Sequence, residues 1–164
     1  MARRRGSTAS DKRPDIESRG DLESRADLEL LVGDFYRIAF ADELLGPLFV
    51  DVAHLDLAIH IPVMTDFWES MLWRRGAYQG NAIDAHRWIH QEVGLEERHF
   101  ERWIALWEMA VDQGFVGSSA SRIKLQARRM AVAIRARMWG RKTGPLPISL
   151  EPAPLPRFGL PSPK

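Results

Sequence analysis

Apolar side chains spaced three and four residues apart fill the middle of this chain, and that spacing leaves little choice of fold. Leu28, Leu31, Phe35, Ile38 and Ala39 fall on one face of a helix. This helix is expected to stop near Gly46-Pro47, a dipeptide that turns the chain and cannot continue the ladder. Pro62 fits the first turn of a second helix, where its missing N–H does no harm; that helix runs through Met64, Phe67, Trp68, Met71 and Leu72 and ends at Gly76. Ala77 to Gly94 reads as a loop with a short helix around His86. A third long helix runs from about Glu96 to Gln113, with Phe100, Trp103, Ile104, Leu106, Trp107 and Val111 at core spacing. A fourth, capped by Ser118 or Ser119, presents Ile123, Ala127, Met130, Ile134 and Met138. Nothing alternates with a period of two for long enough to make a strand, and no repeat is visible. The fold class is all-α.

The flanks have a different composition. Residues 1–20 are rich in Arg, Ser, Asp and Gly with almost no large apolar side chains, the composition of a disordered tail. Residues 141–164 carry Pro145, Pro147, Pro152, Pro154, Pro156, Pro161 and Pro163 and favour extended, polyproline-like conformers. The folded domain is therefore placed at 21–140, and 164 residues suit one such domain with two tails. A formal net charge of +1 gives no field to recruit nucleic acid or a membrane surface. With no cysteine there is no disulfide framework, thiolate zinc site, iron–sulfur cluster or cysteine nucleophile. Arg3-Arg4-Arg5 is followed by polar and charged residues, so it is not read as an export signal. No apolar run is long enough to span a bilayer. The expectation is a soluble, cytoplasmic protein.

His86 is the first candidate for chemistry, although a lone histidine is more often satisfied by a backbone carbonyl than used as a ligand. His90 lies one turn on, and histidines four residues apart on a helix can pair on a metal. Arg87 stands where a zinc protease needs glutamate, and no cluster supplies a third ligand, so a zinc enzyme is weakly supported. Tyr36 and His60 place polar tips on the apolar faces of their helices, where an unpartnered polar group costs about 1–3 kcal/mol. Trp103 adds an indole N–H from a third helix. Three donors converging on one apolar pocket is less easily read as chance. Most of the six tryptophans read as core packing. The carboxylates form no pair suited to acid–base catalysis. Arg122, Lys124, Arg128, Arg129, Arg135 and Arg137 read as the solvated face of the last helix.

Taken together, Phe35-Tyr36, Leu45-Gly46-Pro47-Leu48-Phe49, Asp66-Phe67-Trp68, Tyr78-Gln79-Gly80-Asn81, His99-Phe100-Glu101-Arg102-Trp103 and Val111-Asp112-Gln113-Gly114-Phe115-Val116-Gly117 resemble the group III truncated haemoglobins of bacteria. The likeness covers roughly residues 25 to 140, in order. It implies a shortened globin fold, a two-over-two helical sandwich around haem b and its iron. By motif, His86 matches the proximal iron ligand, Tyr36 the distal tyrosine, His60 the distal histidine and Trp103 the distal tryptophan. Phe35, Phe49, Met64, Phe67 and Trp68 match apolar positions of the haem pocket, and Tyr78 opens the segment that leads to the ligand. Counting forward from Tyr78 selects His86, with Ile89 in the apolar position three residues later; counting backward from the Phe100–Trp103 helix selects His90. The reading adopted is His86, with His90 as the alternative.

The function so implied is binding of dioxygen or another diatomic gas at ferrous iron, with a reductase to keep the iron ferrous and a monomeric chain. Peroxide or nitric oxide detoxification by the same haem is the nearest alternative, so enzymatic turnover is left open. A helical interaction module using the tryptophan-rich faces and the Pro-rich tail is the rival from another class.

Overall fold

The structure, a computed structural model, describes residues 20–75, 78, 80 and 82–140. The two expected tails lie outside the described residues except for Gly20, as do Gly76, Gln79 and Asn81. Five α-helices run in order: α1 (Arg25–Phe40), α2 (Leu57–Trp73), α3 (Ala82–Val93), α4 (Glu97–Gly114) and α5 (Ser118–Met138), with a π-helical turn at Leu48–Val52 between α1 and α2. α1 packs on α2, α4 on α5, and the two pairs meet through α1 with α4 and α2 with α5. This is a two-over-two arrangement, with α3 resting on α5 and on the π turn. Leu28, Leu31, Val32 and Phe35 of α1 are fully buried against Trp107 and Val111 of α4 and Ile123 and Ala127 of α5. Each large apolar side chain so buried contributes about 1.5–3 kcal/mol. No described helix is long and apolar enough to cross a membrane.

Helix ends depart from the sequence reading where a distant side chain decides them. α1 stops at Phe40, short of Gly46-Pro47, because the Asp42 carboxylate accepts from the amides of Leu44 (3.1 Å) and Leu45 (3.0 Å) and turns the chain. Arg102 of α4 fixes that carboxylate, Nε at 2.7 Å and Nη2 at 2.6 Å. Gly46 is needed in the turn, since a Cβ there would lie 2.6 Å from the Phe40 carbonyl oxygen.

α2 starts five residues before Pro62, so the proline sits inside the helix and not in its first turn. Asp56 is the reason: its Oδ1 accepts from the Ala58 amide at 2.9 Å and caps the helix. Pro62 then has no N–H for the ladder, so α2 lacks the hydrogen bond that residue 62 would otherwise donate one turn back. α2 closes on Arg74, whose φ of 55° is left-handed, with its N–H on the Ser70 carbonyl at 3.1 Å. The short helix expected around His86 is a twelve-residue α3.

Neither Ser118 nor Ser119 caps α5. Gly117 occupies the cap and offers no side chain; Asp21, from before α1, accepts from the amides of Ser119 (2.9 Å) and Ala120 (2.8 Å). A methyl group on residue 117 would overlap the Asp21 carboxyl carbon, so only glycine permits this approach. Partial burial works to raise the Asp21 pKa, but the amides of Ser119, Ala120 and Leu22 and the Ser118 hydroxyl prevail and hold it below the ordinary carboxylate value. Asp21→Ala is expected to lower stability by about 1 kcal/mol, and Gly117→Ala by at least as much, read from thermal melts. Because the folded pKa is depressed, the contribution is full above the ordinary carboxylate range and is lost as pH falls through the folded value. The gap between parent and Asp21→Ala should therefore close in acid; a gap constant down to pH 2 would show that the carboxylate is not the cap.

The basic residues of α5 are not simply a solvated face. Lys124 pairs with Asp112 at 2.6 Å, and Arg128 and Arg135 pair with Glu108 and Glu97. Exposed pairs stabilise little, about 0–1 kcal/mol each.

Candidate cofactor pocket

Between the two helix pairs and α3 lies a cavity of about 190 Å³. One water needs only about 10–15 Å³ of such space, so this is not a packing defect. Every pocket residue expected from the resemblance lines it, with His90, the alternative ligand, the exception. α1 supplies Phe35 and Tyr36, the π turn Phe49, and α2 His60, Met64, Phe67 and Trp68. Tyr78 precedes α3, His86 is on α3 and Trp103 on α4. His90 is not among the lining residues. The walls are overwhelmingly apolar, and the polar groups are few enough to treat singly.

His86 is oriented by its own helix. Its Nδ1 lies 2.6 Å from the Ala82 carbonyl oxygen, one turn back. A carbonyl only accepts, so Nδ1 carries the proton and Nε2 keeps its lone pair. Burial pushes the imidazole pKa down, against the upward pull of the Ala82 hydrogen bond, and the ring is neutral. A neutral imidazole with Nδ1–H bound to backbone is the state a metal ligand requires.

Tyr36 and His60 form a pair. The phenol oxygen and His60 Nε2 are 2.6 Å apart, and the rings meet edge to face with centroids at 5.0 Å. Burial raises the Tyr36 pKa far above its ordinary value, so the phenol stays protonated. Burial first, and the proximity of His86 second, lower His60 to about 4, so this imidazole is neutral at pH 7. Two neutral groups share one hydrogen bond.

The indole of Trp103 stacks parallel to Trp107 (5.8 Å, 3°) and Trp68 (6.5 Å, 15°), with Phe35 against its edge at 5.7 Å. Tyr78 packs edge-on to Phe67 at 5.1 Å, and its pKa is pushed up to about 12 by burial, against the Ala82 amide bond that lowers it.

The sequence reading passed over two parts of the wall. His99 lines the cavity, and its Nδ1 accepts from the Glu96 amide at 2.9 Å, which leaves the proton on Nε2 when the ring is neutral. It stands four residues before Trp103, on the same helical face, and that spacing was a usable signal. Met130, Ala131 and Ile134 close the side toward α5; Met130 and Ile134 were read as core, and the same periodicity puts them on the face that meets the cavity.

Among the described residues no group of three or more His, Asp or Glu side chains could hold a bare metal ion. His86, an imidazole held through Nδ1 on an apolar wall, suits a metal that brings its other ligands in a flat, greasy macrocycle. The residues present fit haem.

An all-α sandwich of two helix pairs, with a separate short helix closing an apolar cavity, is the truncated-globin fold. No protein-family model and no curated protein matches the sequence. Among solved structures, the chain is similar to the group III truncated haemoglobin from Campylobacter jejuni, with a TM-score of 0.67 and 19% identity, over 77% of this chain and 99% of that one. At that identity the likeness speaks for the fold.

Proposed function

We propose that this chain is a haem protein that binds dioxygen or another diatomic gas at ferrous iron. The observation that carries the reading is the His86 imidazole, fixed by Ala82 as the Nε2-ligating tautomer on the wall of an apolar cavity. Haem b, when bound, supplies the iron at which gases bind reversibly. The protein's own residues do the rest. His86 would present one ligand, and Phe35, Phe49, Met64, Phe67 and Trp68, which line the cavity, would exclude water and hold the haem by apolar contact. Tyr36, oriented by His60, and Trp103 offer hydrogen-bond donors to the gas. The same donors suit peroxide or nitric oxide turnover, and a reductase would keep the iron ferrous. The chain acts as a monomer in the cytoplasm on this reading.

One spectrum tests it. The purified protein, or the apoprotein after addition of haem, is expected to show a Soret band that shifts on reduction and again under carbon monoxide. A protein that stays colourless with added haem would end this reading in favour of a helical interaction module.

A further inference from the structure

Haem is not wholly apolar. It carries two propionate carboxylates, ionised at neutral pH, and a charge set against an apolar wall is costly unless a donor meets it. Among the described residues, no arginine or lysine lines the cavity. A donor from the wall must therefore be one of its few polar groups, and most of the imidazole and phenol donors are already engaged. His86 Nδ1 donates to the Ala82 carbonyl, and Tyr36 shares one hydrogen bond with His60 Nε2.

His99 is different. It stands in the first turn of α4, close in sequence to the buried Leu95 and Phe100, and all three line the cavity. The imidazole itself is half-buried, so it borders both the cavity and solvent. Its Nδ1 accepts from the Glu96 amide at 2.9 Å, which fixes the ring on the helix and leaves the proton on Nε2. That N–H has no partner among the described residues. His99 is thus held in the tautomer opposite to that of His86. With its proton in place, Nε2 has no lone pair for a metal, but it can donate to an anion. The carboxylates nearest in sequence, Glu96 and Glu97, are paired with Arg98 and Arg135, which offsets their repulsion of a second carboxylate.

We propose that His99 is a further haem-binding residue, whose Nε2–H donates to one propionate carboxylate and so fixes which edge of the macrocycle faces the start of α4. The assignment rests on the haem reading. It gives the cavity two imidazoles with separate tasks, one for the metal and one for the acid groups.

Two probes test it: haem, and haem dimethyl ester, in which both carboxylates are blocked. The affinity of the full-length apoprotein for each is read in the Soret region. The parent should bind haem about tenfold more tightly than the ester, the effect of one charge-assisted hydrogen bond. His99→Phe should weaken haem binding about tenfold and leave the ester nearly unchanged, so the preference for the free acid disappears. His99→Gln, which keeps an N–H donor on a side chain of similar reach, should retain part of that preference. Equal affinity of the parent for the two probes would overturn the proposal, and that comparison needs no variant to fold. A ring that merely caps the Glu96 amide would make His99→Phe weaken both probes alike, which would also overturn it. Failure of the haem reading looks different, since neither probe would then give a Soret band on the parent protein.

Discussion

His86→Gly is expected to lose stable haem binding and to regain it when imidazole is added, while His90→Gly keeps a near-normal spectrum. The geometry supports His86 over His90, the alternative that the sequence left open. His86 lines the cavity with Nδ1 already bound to the Ala82 carbonyl, whereas His90, one turn on, is not part of the wall. Removing a group that merely supports a metal ligand costs about 10–100-fold in affinity; removing the ligand itself should exceed that. The measurement is haem transfer to an acceptor apoprotein, followed in the Soret region with and without imidazole. Loss of haem from the His90 variant, with retention in the His86 variant, would reverse the assignment. The experiment also separates ligation from folding, since imidazole cannot rescue a chain that has not folded.

The ordinary reading of a lone histidine uses only Nδ1 of His86, which leaves the ligand role proposed for Nε2 compatible with it. That is why composition and spacing could not choose between them: the Ala82 bond is local to α3, but the cavity is built by five other elements. The all-α class was legible because the core faces repeat at helical spacing, and Leu28, Leu31, Phe35, Phe67, Trp68 and Trp107 are buried as that spacing requires. Ends were less legible where their causes lie far off in the chain. Asp21 caps α5 from almost a hundred residues upstream, and Arg102 holds the Asp42 turn. The start of α2 was legible and missed: Asp56 directly precedes the helix, but Pro62 carries the stronger conventional signal. The π turn at Leu48–Val52 has too few residues to show a period. Tyr36, His60 and Trp103 were each unconvincing alone, and their common cavity is a product of packing three helices together.

The same packing changes what the distal residues can do. Tyr36→Phe is expected to speed dioxygen release roughly ten- to a hundredfold, the effect of losing a hydrogen bond worth about 1.5–3 kcal/mol. The sequence suggested separate donors, but a 2.6 Å bond joins Tyr36 to His60 and uses one of their two protons. If His60 carries its proton on Nε2, it donates to the phenol oxygen and leaves the phenol O–H free for the gas. If the proton is on Nδ1, the phenol donates to His60 and is withdrawn. An electron-rich ligand such as dioxygen would favour the first arrangement, with Tyr36 as the donor and His60 the group that orients it. His60→Leu should then have the smaller effect, with Trp103 still in place. The double variant should release dioxygen no more than about threefold faster than Tyr36→Phe alone, because partners in one network are not additive. Carbon monoxide is a poor acceptor, and its release should change far less in all three variants. Stopped-flow dissociation of both gases from the ferrous proteins gives the cycle. Multiplying effects would restore two independent donors, and equal changes for the two gases would mean a steric gate in place of a hydrogen-bonded pocket.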